Sequence, residues 1–231
     1  MSLDSLKKEE LKHFIFAVII LILLFGIAYP GKILEGFAVI VLIYSINLLG
    51  YKIGARYFNS EALFMIWGVR PFQKGKFKKQ AKSLFNGPII AIMLFIATAG
   101  KIFFTAISTF KLIQGPRLDK KKPYVTEYET ALIASLGLLF VLILILIFNI
   151  LDIKIGIFIG TWFLLFNLIP FSDVAGAKIW FGSRTLYILM LVLIVISLFL
   201  LNINNIAITI LMALLAASLL GIIYFYFIEY K

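Results

Sequence analysis

Residues 130–151 read TALIASLGLLFVLILILIFNIL and carry no charged side chain. A helix that crosses a bilayer takes about 20 consecutive apolar residues, so this run is long enough to span a membrane. Similar runs flank it, and the chain of 231 residues is 63% hydrophobic and only 14% charged. A soluble domain is roughly 45–50% apolar and about 25% charged. The composition therefore excludes a water-soluble globule, and it equally excludes a disordered chain.

Six apolar runs predict an all-α polytopic membrane protein with six transmembrane helices in a single integral membrane domain, residues 1–231. The predicted spans are residues 14–30, 34–57, 129–151, 154–170, 185–201 and 206–228. The first span has the basic start of a signal peptide but no small-residue cleavage site, so we expect a retained anchor. The Lys- and Ile-rich composition is compatible with a prokaryotic source.

Residues 86–112 do not fit this pattern of spans. They begin with Asn-Gly-Pro, break at Ala99-Gly100-Lys101, and continue in a stretch rich in Ile, Phe and Thr, which favour strands. We predict an apolar, membrane-associated β-hairpin with its turn near Gly100. Open strand edges cannot face lipid, so the hairpin is expected to dip into the cytoplasmic leaflet and pack on protein. A tilted seventh transmembrane helix is the alternative.

The basic residues predict the orientation of the chain. There are 22 Lys and Arg against 11 Asp and Glu, a net charge of +11, and cytoplasmic loops of membrane proteins carry an excess of Lys and Arg. Six spans with a cytoplasmic N-terminus leave only Lys32 and Lys154 outside and 20 of the 22 basic residues inside. If residues 86–112 also spanned, the basic residues would divide almost evenly and Lys101 would lie mid-membrane. We therefore expect both termini in the cytoplasm, in the cell membrane.

The basic runs at residues 74–82 and 120–122 predict contact with anionic lipid at the cytoplasmic face, where each basic residue contributes roughly 1 kcal/mol. Neither run is interleaved with an aromatic platform or belongs to a nucleic-acid-binding motif, so no nucleic acid partner is expected.

Polar residues inside spans are energetically expensive and are therefore candidates for a site. Asn47 and Tyr51 are four residues apart in the second span and share one helical face. The fourth span ends in Asn167-Leu168-Ile169-Pro170, and Asp173 and Gly176 follow. Pro170 and Gly176 predict a break in the helix, which frees backbone groups beside a cavity or another segment.

These two regions resemble the site-2 proteases, which are intramembrane zinc metalloproteases. Residues 47–62, NLLGYKIGARYFNSEA, are similar to the metal-binding helix of that family, which carries His-Glu-Leu-Gly-His. Residues 167–180, NLIPFSDVAGAKIW, are similar to its second signature, Asn-x-x-Pro followed by Leu-Asp-Gly. The resemblance covers about residues 14–184 and implies a site-2-protease-like core, with a hairpin and a core helix between the two motifs.

The resemblance also implies that the chemistry has been lost. Zinc hydrolysis needs two His at i and i+4, a Glu as general base, and a further ligand. Those positions fall on Asn47, Leu48 and Tyr51, and the Asp of the second signature falls on Ala175. The chain has no Cys and a single His, His13, which cannot build a conventional zinc site alone. We expect no catalytic residue, no metal and no cofactor.

A degenerate member of this family would keep a groove for a transmembrane segment and bind or escort a partner helix without cutting it. The candidate substrate-binding residues are Asn47, Tyr51, Thr105, Asn167 and Asp173. A small transporter or channel subunit is one alternative, and an active metalloprotease with atypical ligands is another.

Purely structural interpretations apply to the same motifs. Gly50-x-x-x-Gly54 and Gly156-x-x-x-Gly160 are typical of close helix packing in membranes. Asn47 and Tyr51 are also explained by hydrogen bonds across the bundle.

Overall fold

The computed structural model describes residues 3–68, 86–114 and 125–202. Its helices are α1 (Leu3–Ala28), α2 (Ile33–Tyr57), α3 (Asn86–Ala97), α4 (Glu127–Ile150), α5 (Lys154–Leu168), α6 (Ala175–Gly182) and α7 (Arg184–Phe199). Strands β1 (Ser60–Ile66) and β2 (Ser108–Gln114) form an antiparallel two-stranded sheet, and 3-10 turns lie at Pro30–Lys32 and Leu200–Asn202. The protein is therefore mostly helical, with one small sheet.

Among the described residues, three helices are long and apolar enough to cross a membrane: Lys8–Ala28, Pro30–Tyr57 and Glu127–Ile150. They match the first three predicted spans. Helices α5 and α7 match the next two in position but have only 15 and 16 residues, so each is shorter than the roughly 30 Å of a hydrocarbon core. The predicted span at residues 206–228 lies outside the described residues, so six spans remain a prediction.

Residues 86–112 do not form the predicted β-hairpin. The turn lies where the sequence predicts it, with positive backbone φ at Ala99 and Gly100. The first arm is the helix α3, however, and the second arm contains β2, which pairs with β1. The difference has one local cause and one tertiary cause. Pro88 suits the first turn of a helix, where no N–H is needed, and β1 supplies the partner that the first arm was expected to provide. The 12 residues of α3 are also too few for a seventh span.

The turn after α3 lies at the C-terminal end of α1. A Cβ built on Gly100 would be 3.8 Å from the Cβ of Ala28, and the ring of Phe103 is 5.9 Å from that of Phe25. The predicted topology puts Lys101 on the same side as the N-terminus. If α1 spans a membrane, Lys101 therefore lies at the end opposite the N-terminus, where the predicted topology does not place it.

The chain returns from this turn as an extended and fully buried segment, Phe103–Ile107. Its backbone cannot bond to itself as a helix does, so side chains supply partners. The Tyr44 hydroxyl donates to the carbonyl of Thr105, and the Trp67 indole N–H donates to the carbonyl of Ala106 at 2.5 Å. Non-helical backbone at membrane depth is stable only when protein covers it in this way.

Helices α2 and α4 approach so closely that side chains are excluded from their contact. A Cβ on Gly50 would be 2.8 Å from the Cα of Gly137, and one on Gly54 would be 3.2 Å from the Cα of Ile133. The Gly50-x-x-x-Gly54 motif is thus confirmed as a packing motif. Gly156 and Gly160 of α5 similarly leave room for side chains of α4.

Candidate functional site

The buried polar residues of α2 lie on one helical face. Tyr44, Asn47 and Tyr51 are separated by three and four residues, the spacing of neighbours on a helix surface. Each is at most 3% exposed. The helix therefore turns a polar stripe into the core of the bundle, where polar groups need partners.

Tyr51, to which the resemblance assigns the second His position, fills the space between α2, α4 and β2. Its ring centroid is 4.4 Å from that of Phe110. A Cβ on Gly137 would be 2.1 Å from the Tyr51 ring, so the absent side chain of α4 is what makes room for the ring. Tyr51 is therefore an aromatic packing residue.

Two of the candidate residues carry unpaired polar atoms. Asn47 is 1% exposed and Thr105 is 0% exposed. Among the described residues, the amide nitrogen of Asn47 and the hydroxyl of Thr105 are the buried side-chain polar atoms without a hydrogen-bond partner. Each such group costs about 1–3 kcal/mol. They are donors that the protein itself leaves unused, but neither is open to the surface.

The second motif region packs at the junction of α5 and α6. The amide of Asn167 donates to the carbonyl of Phe163 at 2.9 Å, one turn back along its own helix. A Cβ on Gly176 would be 2.7 Å from the Asn167 carbonyl, and Ala175 beside it is buried. Phe163 in turn contacts Tyr44, with ring centroids 5.2 Å apart. The structure therefore links the two motif regions through aromatic packing.

Leu48, at the position of the general base, lies away from this face. It is partly buried and lines a separate groove between α1 and α2. Its side chain has no acid–base chemistry. The four positions that the resemblance assigns to catalysis are thus occupied by packing residues or by an unpaired amide.

Sequence reasoning missed the best-formed polar cluster, which is centred on Lys178. The ammonium of Lys178 donates to the Phe110 carbonyl at 2.5 Å and to the Thr109 hydroxyl at 2.7 Å. It also lies 3.3 Å from a carboxylate oxygen of Asp173 and 4.1 Å from the centre of the Phe110 ring. The Thr109 hydroxyl donates to the Asp173 carbonyl at 2.5 Å. We call Thr109, Phe110, Asp173 and Lys178 the Lys178 cluster.

The two charged members of the Lys178 cluster differ in their surroundings. The side chain of Lys178 is 14% exposed, whereas that of Asp173 is 61% exposed. Burial lowers the pKa of Lys178 from its ordinary value, and the Asp173 carboxylate partly opposes this shift. The sequence signal was weak, because a lysine between two apolar runs also serves as an ordinary topology determinant.

A charged side chain hydrogen-bonds to the backbone at each edge of the sheet, at the same register position: Glu10 at β1 and Lys178 at β2. Phe64 of β1 is the register partner of Phe110 of β2. The Phe64 N–H donates to the Glu10 carboxylate at 3.2 Å, and the Phe110 carbonyl accepts from Lys178. In an antiparallel sheet, residue pairs that are hydrogen-bonded to each other alternate with pairs that are not. Phe64 and Phe110 form a pair of the second kind, so their N–H and carbonyl groups point away from the partner strand. Glu10 and Lys178 therefore protect both edges against unspecific strand pairing.

A cavity of about 450 Å³ lies next to the Lys178 cluster. Its walls come from the end of β1, from β2 and from the two charged residues of the cluster, and they include Met65, Leu112 and Val125. Asp173 is the one predicted substrate-binding residue on this cavity, whereas Asn47, Tyr51, Thr105 and Asn167 are not among its lining residues. The lining mixes these apolar side chains with polar and charged ones, namely Thr109, Lys111, Thr130, Asp173 and Lys178.

Metal chemistry has little support in the part of the chain that the structure describes. No three His, Cys, Asp or Glu side chains are grouped there closely enough to hold a metal ion. Among the described residues, the polar groups of interest are the unpaired atoms of Asn47 and Thr105 and the ion pair of Lys178 and Asp173 beside the cavity.

No protein-family model matches the chain, and neither a curated protein nor a solved structure matches it.

Proposed function

We propose that the protein is a catalytically inactive, site-2-protease-like membrane protein that binds a membrane segment of a partner protein without cleaving it. The observation that carries the proposal is the packing of Tyr51 against Gly137 and Phe110. This packing fills the place that the resemblance assigns to a zinc ligand, and Leu48, on a different face of α2, has no proton to exchange.

The cavity next to the Lys178 cluster supports the binding half of the proposal. Its volume of about 450 Å³ falls within the usual range for binding pockets, roughly 300–1,000 Å³. Met65, Leu112 and Val125 offer apolar contact, while the exposed carboxylate of Asp173 offers one charge-assisted hydrogen bond. Lys111 and Thr130 also line the cavity, so a segment that carries both apolar and polar side chains matches this lining.

If the partner binds in this cavity, it contacts only some of the predicted substrate-binding residues. Asn47, Tyr51, Thr105 and Asn167 are all at most 3% exposed. They are buried in the bundle and do not line the cavity, so Asp173 is the predicted residue that a partner reaches directly.

Photo-crosslinking in native membranes tests the binding half. A photoreactive residue at Leu112, on the cavity wall, is expected to form a discrete protein adduct. The same residue at Ile147, on an exposed face of α4, is the matched lipid-facing control. Val125→Trp, which fills the cavity, should abolish the adduct at Leu112. Lipid adducts alone at Leu112, or a protein adduct that survives Val125→Trp, would contradict the proposed binding site.

The inactive half has a separate test. The purified full chain is expected to contain no stoichiometric zinc and to show no chelator-sensitive cleavage of membrane segments. Stoichiometric zinc with chelator-sensitive cleavage would instead support an active metalloprotease with atypical ligands.

A further inference from the structure

A second concave surface lies between the N-terminal half of α1 and the C-terminal half of α2. It has a volume of about 670 Å³, and we call it the α1–α2 groove. Most of its lining is apolar, and several of its side chains are exposed. The lining residues used below are Phe14 of α1 and Ser45, Leu49, Lys52, Ile53 and Arg56 of α2.

The length of the groove corresponds to one leaflet of a bilayer. Ser45 and Arg56 mark its two ends on α2, and a rise of 1.5 Å per residue puts them about 16 Å apart along the helix axis. Half of a typical hydrocarbon core is about 15 Å. Leu49 and Ile53, each 45% exposed, lie between the two ends. An extended acyl chain fits this length and this lining.

The cytoplasmic end of the groove carries unbalanced positive charge. Lys52 and Arg56 are four residues apart on one face of α2. Glu10 lies 2.9 Å from the Lys52 ammonium and also accepts the backbone N–H of Phe64. Its carboxylate is therefore already engaged. Within residues 3–68, 86–114 and 125–202, the exposed Arg56 side chain has no ion-pair partner.

We propose that the α1–α2 groove binds one anionic glycerophospholipid, with its phosphodiester at Arg56 and Lys52 and an acyl chain along Leu49, Ile53 and Phe14. A guanidinium presents two parallel N–H groups that match two phosphate oxygens. A zwitterionic lipid brings its own ammonium group close to these cations, so the groove favours a headgroup with net negative charge. The proposal does not depend on the proposed partner-binding function, because it uses a different surface.

Non-denaturing mass spectrometry of the full chain in detergent tests the proposal. The probes are dioleoyl phosphatidylglycerol and dioleoyl phosphatidylcholine, which share their acyl chains and differ in headgroup charge. We expect one phosphatidylglycerol to be retained preferentially. Arg56→Gln should weaken its binding about tenfold, the loss of one bidentate charge-assisted contact, whereas Arg56→Lys should weaken it less. Lys101→Gln, at the opposite end of α1, removes the same charge and should leave binding unchanged.

Two further measurements distinguish lipid binding in the α1–α2 groove from binding of an anion elsewhere on the surface. Leu49→Trp keeps the charge but fills the groove, and it should also weaken phosphatidylglycerol binding. Glycerol 3-phosphate, which carries an anionic phosphate but no acyl chain, should not displace the lipid. Equal retention of the two lipids, equal effects of Arg56→Gln and Lys101→Gln, or displacement by glycerol 3-phosphate would each overturn the proposal. Every variant is first checked for an unchanged, monodisperse elution profile.

Discussion

Replacement of Lys178 by Met tests whether the Lys178 cluster holds β2 against α6. Methionine keeps the apolar stem and approximate volume of the lysine but removes the ammonium. The variant loses the bonds to the Phe110 carbonyl and the Thr109 hydroxyl. Hydrogen bonds to charged groups contribute roughly 1.5–3 kcal/mol each. Relief from burying the ammonium offsets part of this loss, and Thr109 keeps its bond to the Asp173 carbonyl. We therefore expect Lys178→Met to lower the free energy of unfolding by about 2 kcal/mol.

The assay is reversible unfolding of the purified full chain in mixed micelles, followed by tryptophan fluorescence, since Trp67 lines the adjoining cavity. Two variants serve as controls. Asp173→Asn should cost less than about 1 kcal/mol, because the carboxylate is 61% exposed and its ion pair is screened. Lys111→Met removes an exposed lysine from the same strand and should be close to neutral.

The pH dependence of the unfolding free energy tests the burial of the Lys178 ammonium independently. Burial lowers the folded pKa of Lys178 below its ordinary value of 10.5, so the unfolded chain holds this proton more tightly. Stability therefore rises with pH between the lowered folded pKa and 10.5, as the folded state is relieved of a buried charge. Lys178 lines the cavity of about 450 Å³ and a second cavity of about 260 Å³. The other charged groups on these two cavities are Asp173, Lys111 and Glu127. The difference in unfolding free energy between wild type and Lys178→Met should change across this window, and the same difference for Lys111→Met should not.

The interpretation of the Lys178 cluster is refuted by a Lys178→Met protein that is as stable as wild type at neutral pH. It is also refuted if Lys111→Met destabilises the chain as much as Lys178→Met, because an exposed and a buried lysine would then be equivalent.

Three further substitutions test the packing, and each is measured by the same unfolding assay. Gly137→Ala should destabilise by roughly 1–3 kcal/mol through overpacking against Tyr51. Tyr51→Leu in the same chain should recover part of that loss, and strictly additive effects would show that the two residues do not compete for space. Asn47→Leu removes an unpaired buried amide and should be neutral or stabilising by up to about 1 kcal/mol, whereas a clear loss would reveal a partner for that amide. Thr126→Ala should cost about 1 kcal/mol by removing the capping box with Glu129 at the start of α4, and an unchanged protein would exclude a role for this cap.

Local sequence patterns were sufficient to predict the positions of the long helices. Uncharged apolar runs predicted the positions of α1, α2 and α4, and the ends of α2 and α5 agree with the sequence to within two residues. Burial of apolar area in lipid and satisfaction of the backbone by i to i−4 bonds are both local requirements, so a single sequence expresses them directly. The glycine motif at Gly50 and Gly54 was informative for the same reason, because a missing side chain permits close packing whatever the partner.

The sheet and the candidate site depended on contacts between distant parts of the chain. Strand β1 follows α2 directly and was not predicted, because a seven-residue run has no period that distinguishes it from a helix end. Its pairing with β2, more than 40 residues away, decided that residues 86–97 became a helix instead of a hairpin arm.

The sequence alone determined that this is an apolar, basic chain with helices long and apolar enough to cross a membrane, and it identified Asn47, Tyr51 and Asn167 as unusual. Only the tertiary structure decided what these residues do. Tyr51 fills the space left by Gly137, Asn167 bonds to its own helix, and the amide nitrogen of Asn47 has no hydrogen-bond partner by distance and angle among the described residues. Only the tertiary structure brought Lys178 to the edge of β2. The physical reason is that hydrophobic burial is a property of each residue, whereas a hydrogen bond or a close contact exists only when the fold supplies the second atom.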